Sequence, residues 1–295
     1  MKLVRFLYEK KDLYGMLEGD EILILPYLLD WLPKNIEDLI KKENAALSML
    51  EMEIERTSES KKREFTVNLK EVKLIAPILN PPKIICLGLN YRDHAAEQGA
   101  RIPDEPIIFM KPRTSIIGPN QPIVKPSFVK RLDYEGELAV IIGKRGKYIS
   151  ESEASDHIFG YTIFNDVTAR DIQFKDRQWT RGKSFDTFAP IGPCIVVGSQ
   201  IKDPRNLRIR TWVNGELRQD SSTNNMVFDV YEIVHHLSKV MTLEPCDIIA
   251  TGTPAGVGVF MKPEPRFLNP GDIVEIEIEG IGRLKNEVIA ENSLN

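Results

Sequence analysis

The 295-residue chain predicts an α+β protein with a largely antiparallel or mixed sheet folded on itself. Short apolar runs bounded by Gly, Pro, Asn and Asp recur along its length, and few helical stretches are spaced as crossovers between them. A change of character near residues 76–82 divides the chain into a small N-terminal β/α module, 1–76, and a larger domain, 77–295.

In order, residues 1–30 alternate strand-like runs with turns: Lys2–Tyr8, Leu13–Leu17, and Ile22–Leu25 after Gly19-Asp20. Residues 35–64 are charged and helix-forming, with Ile36, Leu39, Ile40, Leu47 and Leu50 marking an apolar stripe. Val72–Ala76 reads as a strand, and Asn80-Pro81-Pro82 then punctuates the chain. Lys83–Leu89 is an apolar strand, followed by a short helix, Tyr91–Gln98, that Asn90 is placed to cap and Gly99 to stop. A proline-rich passage encloses the strand Ile107–Met110. Leu138–Ile142 is a buried strand ending at Gly143, with a helix expected around Ser152–His157 and a strand over Phe159–Asn165. A helix is expected over Val167–Asp176, starting at Asp166, and a loop over Gln178–Pro190. Strands at Cys194–Val197 and Leu207–Val213, a turn at Asn214-Gly215, and an amphipathic helix within Asn225–Val240 follow. Asp247–Thr251 is a buried strand, and Ile273–Glu279 and Gly282–Val288 close the chain.

Hydrophobic residues at 42% and charged residues at 28% are those of an ordinary globular protein. A net charge of −4, with no basic block, argues against a nucleic-acid partner. The longest greasy stretch, Ile22–Leu32, is interrupted by Pro26 and Asp30 and falls short of a membrane span. Three unpaired cysteines in apolar segments, Cys86, Cys194 and Cys246, suit reduced thiols and a cytoplasmic setting, and none has the polar surroundings of a nucleophile.

Chemistry concentrates ahead of the Leu138–Ile142 strand. Asp133, Glu135 and Glu137 alternate, so an unbroken strand would point all three one way, roughly 7 Å apart. Acids that close repel unless a positive charge lies between them. A hard divalent cation meets that need, with a solvated edge strand as the alternative. Asp166 offers a third carboxylate; as an N-cap it would do nothing more. Lys183 and Arg170 are candidate anion clamps, and Gln173 shares a helical face with Arg170. The turn 252–258 can offer backbone N–H groups to a carboxylate. His94 and Glu97, three apart on a short helix between glycine- and proline-rich loops, make a candidate base and orienter on an element able to close.

Four runs together resemble the fumarylacetoacetate hydrolase family. They are Asn90-Tyr91-Arg92-Asp93-His94, Asp133-Tyr134-Glu135-Gly136-Glu137-Leu138, Asn165-Asp166-Val167-Thr168-Ala169-Arg170-Asp171, and Thr251-Gly252-Thr253-Pro254-Ala255-Gly256-Val257-Gly258. The resemblance implies a mixed β-sandwich roll and a homodimer. It also implies a Mg²⁺ or Mn²⁺ site (Ca²⁺ being a third candidate) on Glu135, Glu137 and Asp166, with Lys183, Thr251, Gly252 and Thr253 in the substrate pocket. The run Gln178–Ser184 is most similar to members acting on diketo sugar acids and to the mitochondrial domain-containing relatives. The expected activity is metal-dependent hydrolysis of a C–C bond in small 2-oxo or 2,4-dioxo acids, with His94 activating water. The same enolate chemistry gives oxaloacetate decarboxylation, tautomerisation or isomerisation. A non-catalytic carboxylate-binding protein is the reading from another class.

Overall fold

The computed structural model describes residues 1–176 and 178–294, the side chains of 43–45 and 294 excepted. Two mixed sheets face each other in a sandwich. The larger has the strand Gly136–Ile142 near its centre, antiparallel to Ile158–Asn165 on one side and to Ile248–Ala250 on the other. Beyond Ile248–Ala250 lie Ile84–Gly88, in parallel, and then Ile107–Lys111. On the opposite flank Ile158–Asn165 pairs with Ala189–Val197, and Lys2–Tyr8 joins that strand through Lys2↔Val196 and Leu3↔Ile195. The first 75 residues therefore continue the same sheet. The smaller sheet runs Glu216–Ser222, Arg208–Val213, Ile273–Ile278, Gly282–Ala290 and Ile123–Lys125.

The central strand is apolar without alternation because both its faces are covered. Leu138, Val140 and Ile142 pack between the sheets with Ile209, Ile276 and Leu284. Ala139 and Ile141 pack on the outer face, under Leu39, Ile40, Leu47 and Leu50 of the N-terminal helices Ile36–Ile40 and Glu43–Arg56. Burial on both sides at about 25 cal/mol per Å² fixes the strand's register, and with it the height at which Glu135 and Glu137 emerge.

Several local expectations are corrected. Asp133 and Glu137 do not share one strand. The chain breaks at Tyr134–Glu135 between Leu132–Asp133 and Gly136–Ile142, and the short first piece pairs with Thr168–Ala169. Asp166 caps no helix: Thr168–Ala169 intervenes, and the helix is a single turn, Arg170–Gln173. Lys183 ends a helical turn, Thr180–Lys183, and is not in open loop. Asn90 does not cap the helix Arg92–Glu97; its side chain spans Phe228 and the Thr251 carbonyl instead. The amphipathic helix is Val230–Val240, begun by a capping box in which Asp229 accepts from the Tyr231 and Glu232 amides.

Gly136 sits where the sheets approach closely: a β-carbon there would lie 2.4 Å from Thr211 Oγ1 and 3.1 Å from Gln219 Oε1. Gly136→Ala should therefore cost about 1–3 kcal/mol in urea unfolding and weaken divalent-ion binding, since the strand must shift. A variant as stable as the parent would show that the sheets have room to separate.

Candidate metal and catalytic site

The Glu135, Glu137 and Asp166 side chains converge, each offering an oxygen within 4.8 Å of the others. All three are buried. Four buried carboxylates, these and Asp133, stand against three buried cations, Lys111, Arg170 and Lys183. Lys183 Nζ donates to Glu135 Oε2 at 2.8 Å and to Asp166 Oδ2 at 2.6 Å. Arg170 bridges Asp133 Oδ2 at 2.8 Å and Glu135 Oε1 at 2.7 Å, with Gln173 Oε1 accepting from its Nη1 at 3.0 Å. Lys111 Nζ reaches Asp166 Oδ1 at 2.5 Å.

The distribution is uneven. Burial opposes the charge on Glu135, but Lys183 and Arg170 overcome it and hold the carboxyl down at about 2. Burial likewise opposes the charge on Lys183, and the adjacent Asp166 and Glu135 keep it an ammonium. Glu137 has no such partner. Burial first, then Asp166 and Glu135, push it well above the ordinary range, with only Lys183 and the Gly252 N–H working the other way. Its Oε2 accepts from Gly252 at 2.9 Å, while Oε1 is buried with no hydrogen-bond partner among the described residues. A buried carboxylate oxygen left without a donor, beside two other carboxylates, fits a hard divalent cation, and the donor set is all oxygen.

The turn 252–259 gives its amides to the protein's own acids. Gly252 binds Glu137, Ala255 binds Asp93, Gly256 binds Glu97 at 3.0 Å, and Gly258 and Val259 bind the two oxygens of Asp133. Gly252 has φ +95°, which suits glycine. The Thr251 hydroxyl is likewise used internally, on the Leu138 carbonyl. Of these residues only Thr253 borders the cleft, its hydroxyl fixed between the Gly136 carbonyl and Gln219 Nε2.

His94 lies across that cleft from Glu135 and Lys183. Its Nδ1 is 2.6 Å from Glu97 Oε1, leaving Nε2 as the nitrogen available to a ligand. The helix that carries it is anchored: Asp93 accepts from Ser221 Oγ at 2.6 Å and from Asn225, and Arg92 donates to the Met226 carbonyl. Phe109, Phe174, Trp179 and Phe260 supply apolar walls. His157 and His235 are turned to backbone carbonyls of Lys144 and Ile149. Burial pushes all three thiols up, Cys194 to about 11 and Cys246 to about 12, as expected of inert cysteines.

Sequence reasoning missed Lys111, Gln219 and the role of Asp133. Lys111 carried a signal, a lone lysine closing the apolar run Ile107–Met110. Gln219 and Asp133 gave none, because the contacts that define their roles, Thr253 for Gln219 and Arg170 and Gly258 for Asp133, lie 34 or more residues away.

The family described as fumarylacetoacetate (FAA) hydrolase C-terminal matches residues 83–289. The chain belongs to this family. It is 52% identical over 229 residues to oxaloacetate tautomerase YisK of Bacillus subtilis, covering 76% of this chain and 75% of that one. It is 45% identical over 260 residues to the mitochondrial oxaloacetate tautomerase FAHD2A of Bos taurus, covering 88% and 81%. Among solved structures, the fumarylacetoacetate hydrolase of psychrophilic Exiguobacterium antarcticum superposes with TM-score 0.84 at 40% identity, over 99% of this chain and 100% of that one. Maleylpyruvate hydrolase of Sphingobium sp. SYK-6, solved with manganese(II) and pyruvate, gives 0.80 at 31% identity, over 98% and 99%. The mixed β-sandwich roll expected from the sequence is the fold of these neighbours. Among the described residues no helix is long and apolar enough to cross a membrane.

Without a cation, Glu137 keeps its proton at pH values where an unfolded chain has lost it. Its contribution to stability is therefore present at low pH and lost as pH rises through the raised pKa. A cation must displace that proton, so Mn²⁺ affinity should climb as pH rises, with proton release in calorimetry. Glu137→Gln should weaken Mn²⁺ binding by roughly tenfold or more without lowering thermal stability, since a neutral amide replaces a carboxyl whose charged form is disfavoured there. Parental affinity in that variant would remove Glu137 from the ligand set.

Proposed function

We propose that this chain is a divalent-metal-dependent enzyme that moves a proton at C3 of small 2-oxo acids, interconverting the keto and enol forms of an oxaloacetate-type substrate. One observation carries the reading. The Glu97-oriented His94 faces Glu135 and Lys183 across a cleft walled by aromatic rings. Its support from relatives is the 52% and 45% identity to proteins named oxaloacetate tautomerases.

Glu135, Glu137 and Asp166 would hold the ion. A divalent cation there supplies Lewis-acid polarisation of the 2-oxo group. His94 Nε2 would take the C3 proton and deliver it to the 2-oxo oxygen to give the enol, the reverse transfer giving back the keto form, while Glu97 keeps the other ring proton on Nδ1 and Gly256 N–H fixes Glu97. Lys183 presents a permanent positive charge to the oxygen that gains electron density. Gln173, held by Arg170, lines the same cleft and orients the acid end.

Hydrolysis of acylpyruvate-type 2,4-dioxo acids is the second reading, favoured by the same dyad, which can activate water, and by the fold shared with a maleylpyruvate hydrolase. A product-resolved assay on oxaloacetate and acylpyruvates, with deuterium exchange at C3 followed by NMR, separates the two. Exchange without cleavage supports tautomerisation, cleavage supports hydrolysis, and neither would leave only carboxylate binding. Chelation should abolish turnover and Mn²⁺ or Mg²⁺ restore it; full activity in verified metal-free protein would remove the ion from the mechanism. His94→Ala should lose about 10²–10⁴ in kcat while keeping oxalate affinity, Glu97→Gln should lose less, and the double variant should be little worse than His94→Ala. Near-parental turnover by His94→Ala would place the base elsewhere.

A further inference from the structure

Each carboxylate of the triad has one oxygen in contact with a group that belongs to the scaffold. Glu135 Oε1 is ion-paired with Arg170 Nη2 at 2.7 Å, without hydrogen-bond geometry, Glu137 Oε2 accepts from the Gly252 N–H at 2.9 Å, and Asp166 Oδ1 from Lys111 Nζ at 2.5 Å. The oxygens left over are Glu135 Oε2, Glu137 Oε1 and Asp166 Oδ2, and among the described residues only Lys183, from the cleft side, touches any of them. The three scaffold donors are not free to leave. Gly252 is backbone, and Arg170 is pinned by Asp133 and Gln173. Lys111 enters from behind on the strand Ile107–Lys111, with a fully buried side chain, a second bond to the Val167 carbonyl at 3.1 Å, and no place on the cleft wall.

We propose that Lys111 is a positioning residue that confines Asp166 to one-oxygen coordination and thereby sets the site's preference for a small six-coordinate dication over Ca²⁺. The inference rests on the metal reading above. The physical reason is coordination number. Mg²⁺-like ions accept six ligands at close range, so three single oxygens and three further positions suffice. Ca²⁺ takes six to eight oxygens at longer range and commonly draws both oxygens of a carboxylate. A site in which every carboxylate has surrendered one oxygen offers Ca²⁺ no such gain. Of the three donors, Lys111 is the one whose side chain can be replaced without touching the cleft. Were Lys111 there only to neutralise buried charge, its loss would change the affinity of all dications by one common factor.

The test is calorimetric titration of Mn²⁺ and Ca²⁺ into the full chain and into Lys111→Met, which keeps length and loses the donor. The parent should hold Mn²⁺ well above Ca²⁺, and the variant should move the Ca²⁺:Mn²⁺ preference toward Ca²⁺ by roughly tenfold or more, the usual scale for a group supporting a ligand. A common shift for both ions, or none, overturns the proposal while leaving the metal site in place. If the variant does not fold, the parent decides alone: equal affinity for Ca²⁺ and Mn²⁺ overturns the proposal. Absence of any dication binding by the parent overturns it together with the metal reading.

Discussion

Five backbone amides between Gly252 and Val259 donate to carboxylates brought from separate stretches of the chain: Glu137, Asp93, Glu97 and Asp133. Charge-assisted bonds of this kind contribute on the order of 1.5–3 kcal/mol each. Their larger consequence is geometric. One turn fixes the central strand's acid, the helix that carries His94, and the acid that holds Arg170. The separation between the carboxylate triad and His94 is thus set by a single piece of backbone.

That turn also explains how so many acids are buried together. An isolated carboxylate would take up a proton rather than stay charged away from water. Asp133, Glu135 and Asp166 each have a cation in contact, and Glu137 has only an amide. The arrangement leaves one oxygen of one residue, Glu137 Oε1, without a hydrogen-bond partner among the described residues, and makes its carboxyl the one whose charged form burial and its neighbours oppose.

The His94 helix illustrates the difference between local and tertiary stability. Six residues, Arg92–Glu97, form no stable helix alone. In the folded chain Asp93, Arg92 and Glu97 tie it to Ser221, Met226 and Gly256. The dyad is presented on a held element, which limits the reorganisation needed for proton transfer.

Periodicity and spacing in the sequence determined the strands that form the sheet, because a doubly buried strand must be continuously apolar and Leu138–Ile142 is. They also determined the oxygen-rich side chains at 135, 137 and 166 that the fold brings together, and the His94–Glu97 contact, which needs nothing beyond a helical turn. What only the tertiary structure decided is which partners those groups meet. The break at Tyr134–Glu135, which sends Asp133 to Arg170 and the 258–259 amides, follows from pairing with Thr168–Ala169, some 35 residues on. Lys111 reaches Asp166 from a strand four places away across the sheet from the one that leads into it. Contacts of that range depend on strand order, and strand order is chosen by the packing of whole faces, which no local pattern encodes.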